Sequence, residues 1–222
     1  MSIKYHYDIE QGTEQWTKIR QGILTSSEMK KVLTPTLKIA SNDTSRSHEW
    51  ELLAQRISGY TEPTYINDDM LRGQTDEIEA RILYSKNYAQ VTECGFITND
   101  KLGFIRGFSP DGLVGDDGLI ECKSRRQKYQ IETIMTDEVP LEYMMQIQDE
   151  LFLSERKWCD FISFSGGLPM FVKRVFSDAK FQEAIQLASI QFENKLKLLQ
   201  GEYMQKSLLM IPTERKIFEE IT

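Results

Sequence analysis

Apolar positions recur at helical spacing through the first third of the chain and at strand spacing through its middle. "GTEQWTKIRQG" reads as a short amphipathic turn closed by Gly22, and "TSSEMKKVL" as a serine-capped helical run with Glu28 in its first turn. "SRSHEWELLAQRISGY" places Trp50, Leu53 and Ile57 on one face, with Gly59 as the stop. "NDDMLRGQTDEIEARILYSKNY" opens on Asn67 as a cap and keeps Leu71, Ile78, Ile82 and Leu83 on one face. The period then shortens. "QVTECGFIT", "LGFIRGFS" and "GLIECKS" are short, β-branched or aromatic, and bounded by glycine, which predicts three strands. "VPLEYMMQIQDELFLS" predicts a helix entered at Pro140. "KWCDFISFS" and "PMFVKRVFS" predict a hairpin around "GGL". A long last helix carries the stripe Phe181, Ile185, Ala188 and Phe192. Helices, three strands, a helix, two strands and a helix imply an α/β (α+β) fold with a mixed central β-sheet flanked by helices.

With 222 residues, one domain is expected over 1–222. Its parts are a helical N-terminal part over 1–90, a core over 70–176, and a C-terminal helix over 177–201 followed by a tail. No stretch approaches the roughly 18 consecutive apolar residues of a membrane span, so no membrane partner is expected. The start, "MSIKYHYDIEQ", lacks the apolar core of a signal peptide, so a cytoplasmic location is expected. Cys94, Cys122 and Cys159 are odd in number and widely spaced, against a disulfide framework or a four-cysteine metal site. His6 and His48 are far apart in sequence and make a poor zinc pair. The net charge of −7 disfavours coating nucleic acid by bulk electrostatics, but it leaves room for an enzyme whose positive charge is local or carried by metal.

The segment "SPDGLVGDDGLIECKS" carries the chemistry. If "GDDG" closes a hairpin, Asp111 lies opposite position 121 or 122, and its carboxylate meets that of Glu121 across the strands. Alternation puts Glu121 and Lys123 on one face and Cys122 on the other. Two carboxylates that close repel each other unless a hard cation such as Mg²⁺ sits between them. A lysine beside them stabilises developing negative charge or helps to deprotonate water. Glu-x-Lys alone is common on exposed strands. Here Leu119 and Ile120 mark a strand that is at least partly buried, where charges are seldom left without purpose.

These residues resemble the PD-(D/E)xK nuclease core, and more specifically the lambda exonuclease (viral recombinase) family. The matching pieces are "QWTKIRQGILTSSE", "RGQTDEIEAR", "FIRGFSPDGLVGDDGLIECKS" and "EYMMQIQDEL", in that order and over well more than half of the chain. The resemblance implies a restriction-endonuclease-like fold. It implies that Asp111, Glu121 and the backbone carbonyl of Cys122 bind Mg²⁺ (with Mn²⁺ able to substitute) and that Lys123 is the catalytic lysine. Glu77, four residues after Gly73, would help to organise the metal, although Asp76 and Glu79 stand beside it. Gln146 would face the active site. Arg20 would clamp a DNA 5′-phosphate with Thr25 and Ser27, Ser109 being nearby. A guanidinium suits a phosphate, and so do free N–H groups at a helix start, which "TSSE" would offer. The family's basic loop is matched only loosely, by Lys38 and Arg46. "KSRRQK", the densest basic run, would track backbone phosphates.

The implied activity is Mg²⁺-dependent 5′-to-3′ digestion of one strand of linear double-stranded DNA, leaving 3′ single-stranded tails for phage recombination. The implied partners are duplex DNA ends, two further copies of the chain in a homotrimeric ring, and a phage single-strand annealing protein. The alternatives are an endonuclease on the same core and a non-catalytic DNA-end-binding protein.

Overall fold

A computed structural model describes residues 2–63 and 67–216. Of the C-terminal "IPTERKIFEEIT", whose role the sequence left open, residues 217–222 lie outside the described part. Two sheets form the frame. Strands β1 (Ile3–His6), β2 (Phe96–Asn99) and β3 (Arg106–Phe108) make an antiparallel sheet in that order. Strands β4 (Gly112–Val114), β5 (Gly118–Ser124), β6 (Trp158–Phe164) and β7 (Phe171–Phe176) make a mixed sheet in which only β5 and β6 are parallel. The crossover between those two holds α5 (Gln127–Thr136) and α6 (Leu141–Ser154).

Strand β5 is buried from Gly118 to Cys122, as a near-continuous apolar run between paired neighbours should be. Gly118 is required there, because a Cβ would stand 2.2 Å from the Trp158 ring. The β4–β5 ladder pairs Gly112 with Ile120 and Val114 with Gly118. One further step puts Asp111, at the bend before β4, opposite Glu121. The expected register holds.

The N-terminal half contributes α1 (Glu14–Ile19), α2 (Met29–Val32), α3 (Asp43–Ser58) and α4 (Asp68–Asn87). Asn67 caps α4 through the Met70 N–H at 2.9 Å, as predicted, and Gly59 ends α3 at φ 64°. The last helix, α7 (Ala179–Ser207), buries Ile185, Ala188 and Phe192 against α2, α3 and α6. No helix among the described residues is long and apolar enough to cross a membrane.

One expected face is wrong and another is only partly right. On α3, Leu53 is buried and Ile57 packs against the core as expected, but Trp50 is 57% exposed, and Ser45, His48 and Leu52 are buried as well. On α4, Leu71, Ile78, Ile82 and Leu83 all face solvent, while Ala80 and Tyr84 are buried against β5 and β6. The inward stripe of α4 also carries the half-buried Glu77 and Arg81. A helix that presents charge inward leaves its apolar residues to the outside, so its periodicity points to the wrong face.

Candidate active site

Strand β5 delivers Glu121 and Lys123 to one side of the mixed sheet, and the bend before β4 delivers Asp111. Glu121 is 1% exposed. Its Oε1 accepts from the Gln146 amide at 2.6 Å and is also paired with the Lys123 ammonium. Its Oε2 is buried and has no hydrogen-bond partner among the described residues. Asp111 Oδ2 accepts from the backbone N–H of Cys122 at 2.6 Å, which fixes that carboxylate against β5. From α4, Glu77 is held by Arg81 at 3.1 Å, while Asp76 turns to Ser124 and Glu79 faces solvent. Of the three acidic residues, Glu77 is the one whose carboxylate interacts with Asp111 and Glu121.

The carboxylates feel one another. Burial pushes the Asp111 carboxyl well above its usual range, and Glu121 and Glu77 push it further. Burial raises Glu77 too, helped by Glu121 and opposed by Arg81 and Lys123. Burial alone would lower the Lys123 amine, but Glu121 and Asp111 outweigh it and hold the group as a cation. Asp111, Glu121 and Glu77 do not draw their oxygens to within 4.8 Å of one another as a set. The Lys123 ammonium balances them instead. Carboxylate oxygens with an unpartnered buried Glu121 Oε2 are a donor set that fits a hard divalent cation.

A second group lies at the chain's first helices. The Trp16 indole N–H donates to Ser109 Oγ at 2.6 Å, and the Arg20 guanidinium lies 4.1 Å over the Trp16 ring. Among the described residues that guanidinium makes no ion pair or hydrogen bond. Thr25 pairs with Gly107 of β3, and its hydroxyl lies 3.3 Å from that of the exposed Ser27. Arg20, Thr25, Ser27 and Ser109 thus gather around β3 and the bend that holds Asp111. The helix start differs from expectation. Thr25 is the cap, not a serine, and Glu28 Oε2 accepts from both its N–H (3.3 Å) and its hydroxyl (2.9 Å). A three-residue 3-10 turn precedes the four residues of α2, so side chains rather than a helix dipole make this pocket.

A model of the YqaJ-like viral recombinase domain matches residues 15–157. The chain belongs to this viral recombinase family. No curated protein matches it. The alkaline exonuclease LHK-Exo from Laribacter hongkongensis is 32% identical, with a TM-score of 0.79 over 90% of this chain and 100% of that one. Its complex with dAMP matches with a TM-score of 0.80 over the same shares. A phage-related exonuclease from Haemophilus somnus 129PT shares the fold at 13% identity, with a TM-score of 0.59 over 82% of this chain and 96% of that one.

The recombinase fold is thus the PD-(D/E)xK type that the sequence implied. Within it, two arginines of the basic run are already paired. Arg125 is buried against Glu142 and Tyr143, and Arg126 pairs with Asp69. Sequence reasoning missed Glu150. It is 1% exposed, and its Oε1 takes the same Gln146 amide nitrogen at 2.8 Å that Glu121 takes. Burial, and next Glu121, push its carboxyl well above the usual range. The only sequence signal was its place four residues after Gln146 on a helix that is buried from Ile147 onward.

Proposed function

We propose that this viral recombinase is a Mg²⁺-dependent exonuclease that digests one strand of linear duplex DNA from its 5′ end. The observation that carries this is Asp111, Glu121 and Glu77 gathered around Lys123, with an unpartnered buried oxygen on Glu121. The likeness to LHK-Exo over its whole length supports the exonuclease class. Asp111, Glu121 and Glu77, with the Cys122 carbonyl, would hold Mg²⁺ (or Mn²⁺). A bound ion supplies positive charge to the scissile phosphate and acidifies water. Lys123, held as a cation, stabilises the negative charge that develops on the scissile phosphate, and Gln146, anchored to Glu121 and Glu150, orients the attacking water. Arg20, which makes no hydrogen bond or ion pair among the described residues, takes the terminal 5′-phosphate, with the Thr25, Ser27 and Ser109 hydroxyls beside it. Holding that phosphate sets how far the scissile bond lies from the end. We further propose a homotrimeric ring around the DNA and a single-strand annealing protein as partner in phage recombination.

The test is digestion of linear duplex labelled at either end, and of closed circular duplex, with and without Mg²⁺. Release of the 5′ label alone, only with Mg²⁺, is expected, with circles intact. Cut circles favour the endonuclease reading, and binding of ends without label release favours a non-catalytic end-binder.

A further inference from the structure

A second donor cluster lies behind the phosphate pocket. Glu28, His48 and Glu51 each offer one ligand atom, and these atoms lie within 4.8 Å of one another. His48 is 1% exposed on α3, stacked 5.7 Å from Phe192. Its Nδ1 is 2.9 Å from Glu51 Oε2, and its Nε2 faces Glu28 Oε2 at 3.5 Å with no hydrogen-bond partner. A buried imidazole pointed between two carboxylates is uncommon as packing alone.

A cation already marks the focus of these donors. Lys31 Nζ sits 3.4 Å from Glu28 Oε1, 3.3 Å from His48 Nδ1 and 3.5 Å from Glu51 Oε2. One nitrogen and two carboxylate oxygens are the ligands that zinc-class ions choose, whereas Mg²⁺ prefers oxygen alone. Bonds of about 2.0–2.2 Å ask the donors to close by roughly 1.3 Å. Glu51 is half exposed and able to swing, and Lys31, at 30% exposure, is able to leave. The cluster opens to a cleft of about 380 Å³ lined by Lys31, Asp43, Thr44, Ser47, His48 and Glu51. With Nδ1 as ligand, Nε2–H points at Glu28 Oε2, the carboxylate backing that metal-bound histidines use.

We propose that Glu28, His48 and Glu51 form a site for a zinc-class divalent ion, with Lys31 as the internal cation that the ion displaces. Glu28 also fastens Thr25, so the ion would bind one side chain behind the phosphate pocket.

The test uses the full chain with Asp111→Asn and Glu121→Gln, so that the nuclease centre is not counted, and no DNA, so that the result is independent of the nuclease reading. Zn²⁺ is titrated in competition with a chromophoric chelator. One ion per chain is expected. Glu51→Gln and His48→Gln should each weaken binding by about 10–100-fold. Lys31→Met should tighten binding, because no ammonium need be expelled, which a purely structural ion-pair cluster does not predict. With Cu²⁺, electron paramagnetic resonance should show nitrogen coupling that survives His6→Gln and vanishes in His48→Gln. Glu51 and Lys31 lie at the surface, so their variants remain folded if His48→Gln does not. No bound ion, an affinity unmoved by Glu51→Gln, or weaker binding in Lys31→Met would overturn the proposal.

Discussion

Replacing Arg106 by Met tests what ties the two halves of the candidate site together. Arg106 is 1% exposed on β3, and Asp149 on α6 is fully buried. The guanidinium donates to both Asp149 oxygens, at 2.7 and 2.8 Å, to Ser189 Oγ on α7 at 2.8 Å, and to the Leu24 carbonyl at 3.4 Å. It therefore joins the strand beside the proposed phosphate pocket, the segment leading into that pocket, and the helix that carries Gln146 and Glu150. Methionine fills much of the same volume but strands the Asp149 carboxylate without a counter-ion. Breaking one side of a buried pair costs about 3–5 kcal/mol, a large share of the about 5–15 kcal/mol that holds a domain together.

Urea unfolding reads this directly. With a slope near 3 kcal/mol per molar, the midpoint should fall by about 1–1.7 M. The double variant Arg106→Met with Asp149→Leu removes both charges. It should regain most of the loss, because the attraction in such a pair is largely spent on desolvation. A midpoint shift below about 0.3 M in the single variant, or a double variant as unstable as the sum of its singles, would refute the argument.

Four further outcomes are expected. Lys123→Ala should lower strand digestion by at least about 100-fold while end binding, measured by gel shift, persists. Arg20→Ala should erase a rate preference for 5′-phosphorylated over 5′-hydroxyl ends of about 10–100-fold, as expected for a charge-assisted phosphate contact; equal rates on both ends in the parent would remove the clamp. Burial works against ionised Glu28, but His48, Lys31 and Thr25 hold its carboxyl at about 2 instead of the ordinary 4.5. A depressed carboxyl adds stability that is full above pH 4.5 and is lost as pH falls toward 2, up to about 3 kcal/mol; the parent's urea midpoint should thus fall more steeply below pH 4.5 than that of Glu28→Gln. Saturating Mg²⁺ should raise the parent's thermal midpoint, by the equivalent of about 2.7 kcal/mol at a hundredfold excess over Kd, and leave Asp111→Asn unmoved.

The hairpin was legible because side-chain alternation and one tight turn leave little freedom: given "GDDG", Asp111 meets Glu121. Helix caps were legible for the same local reason, as at Asn67 and Gly59. The face of α4 was not. Its apolar Leu71, Ile78 and Ile82 obeyed helical periodicity, yet the site draws Glu77 and Arg81 inward instead. Glu150 sits in "QIQDEL", which reads as a solvated stretch, but its helix packs against β-strands and α7 that are distant in sequence. Helix α5 and strand β1 were hidden too: the first behind a basic run, the second in four residues whose partner strand begins at Phe96.

The fate of the cations shows where affinity for an anionic polymer can arise in a chain of net charge −7. Arg56 is committed to Glu193, Arg106 to Asp149, Arg125 to Glu142, and Arg174 to Asp160. A sequence count credits each of these as free positive charge, but each is already paired with a carboxylate of the chain. Arg20 stacks on Trp16 and makes no ion pair among the described residues, feeling Glu28 only through its charge, and Lys123 is shared among several carboxylates that it cannot neutralise alone. The site is thus short of positive charge at one end and carries an unclaimed guanidinium at the other. Under the proposed function, a phosphate-bearing strand end arriving with divalent cations would satisfy both, which a basic patch would do less selectively.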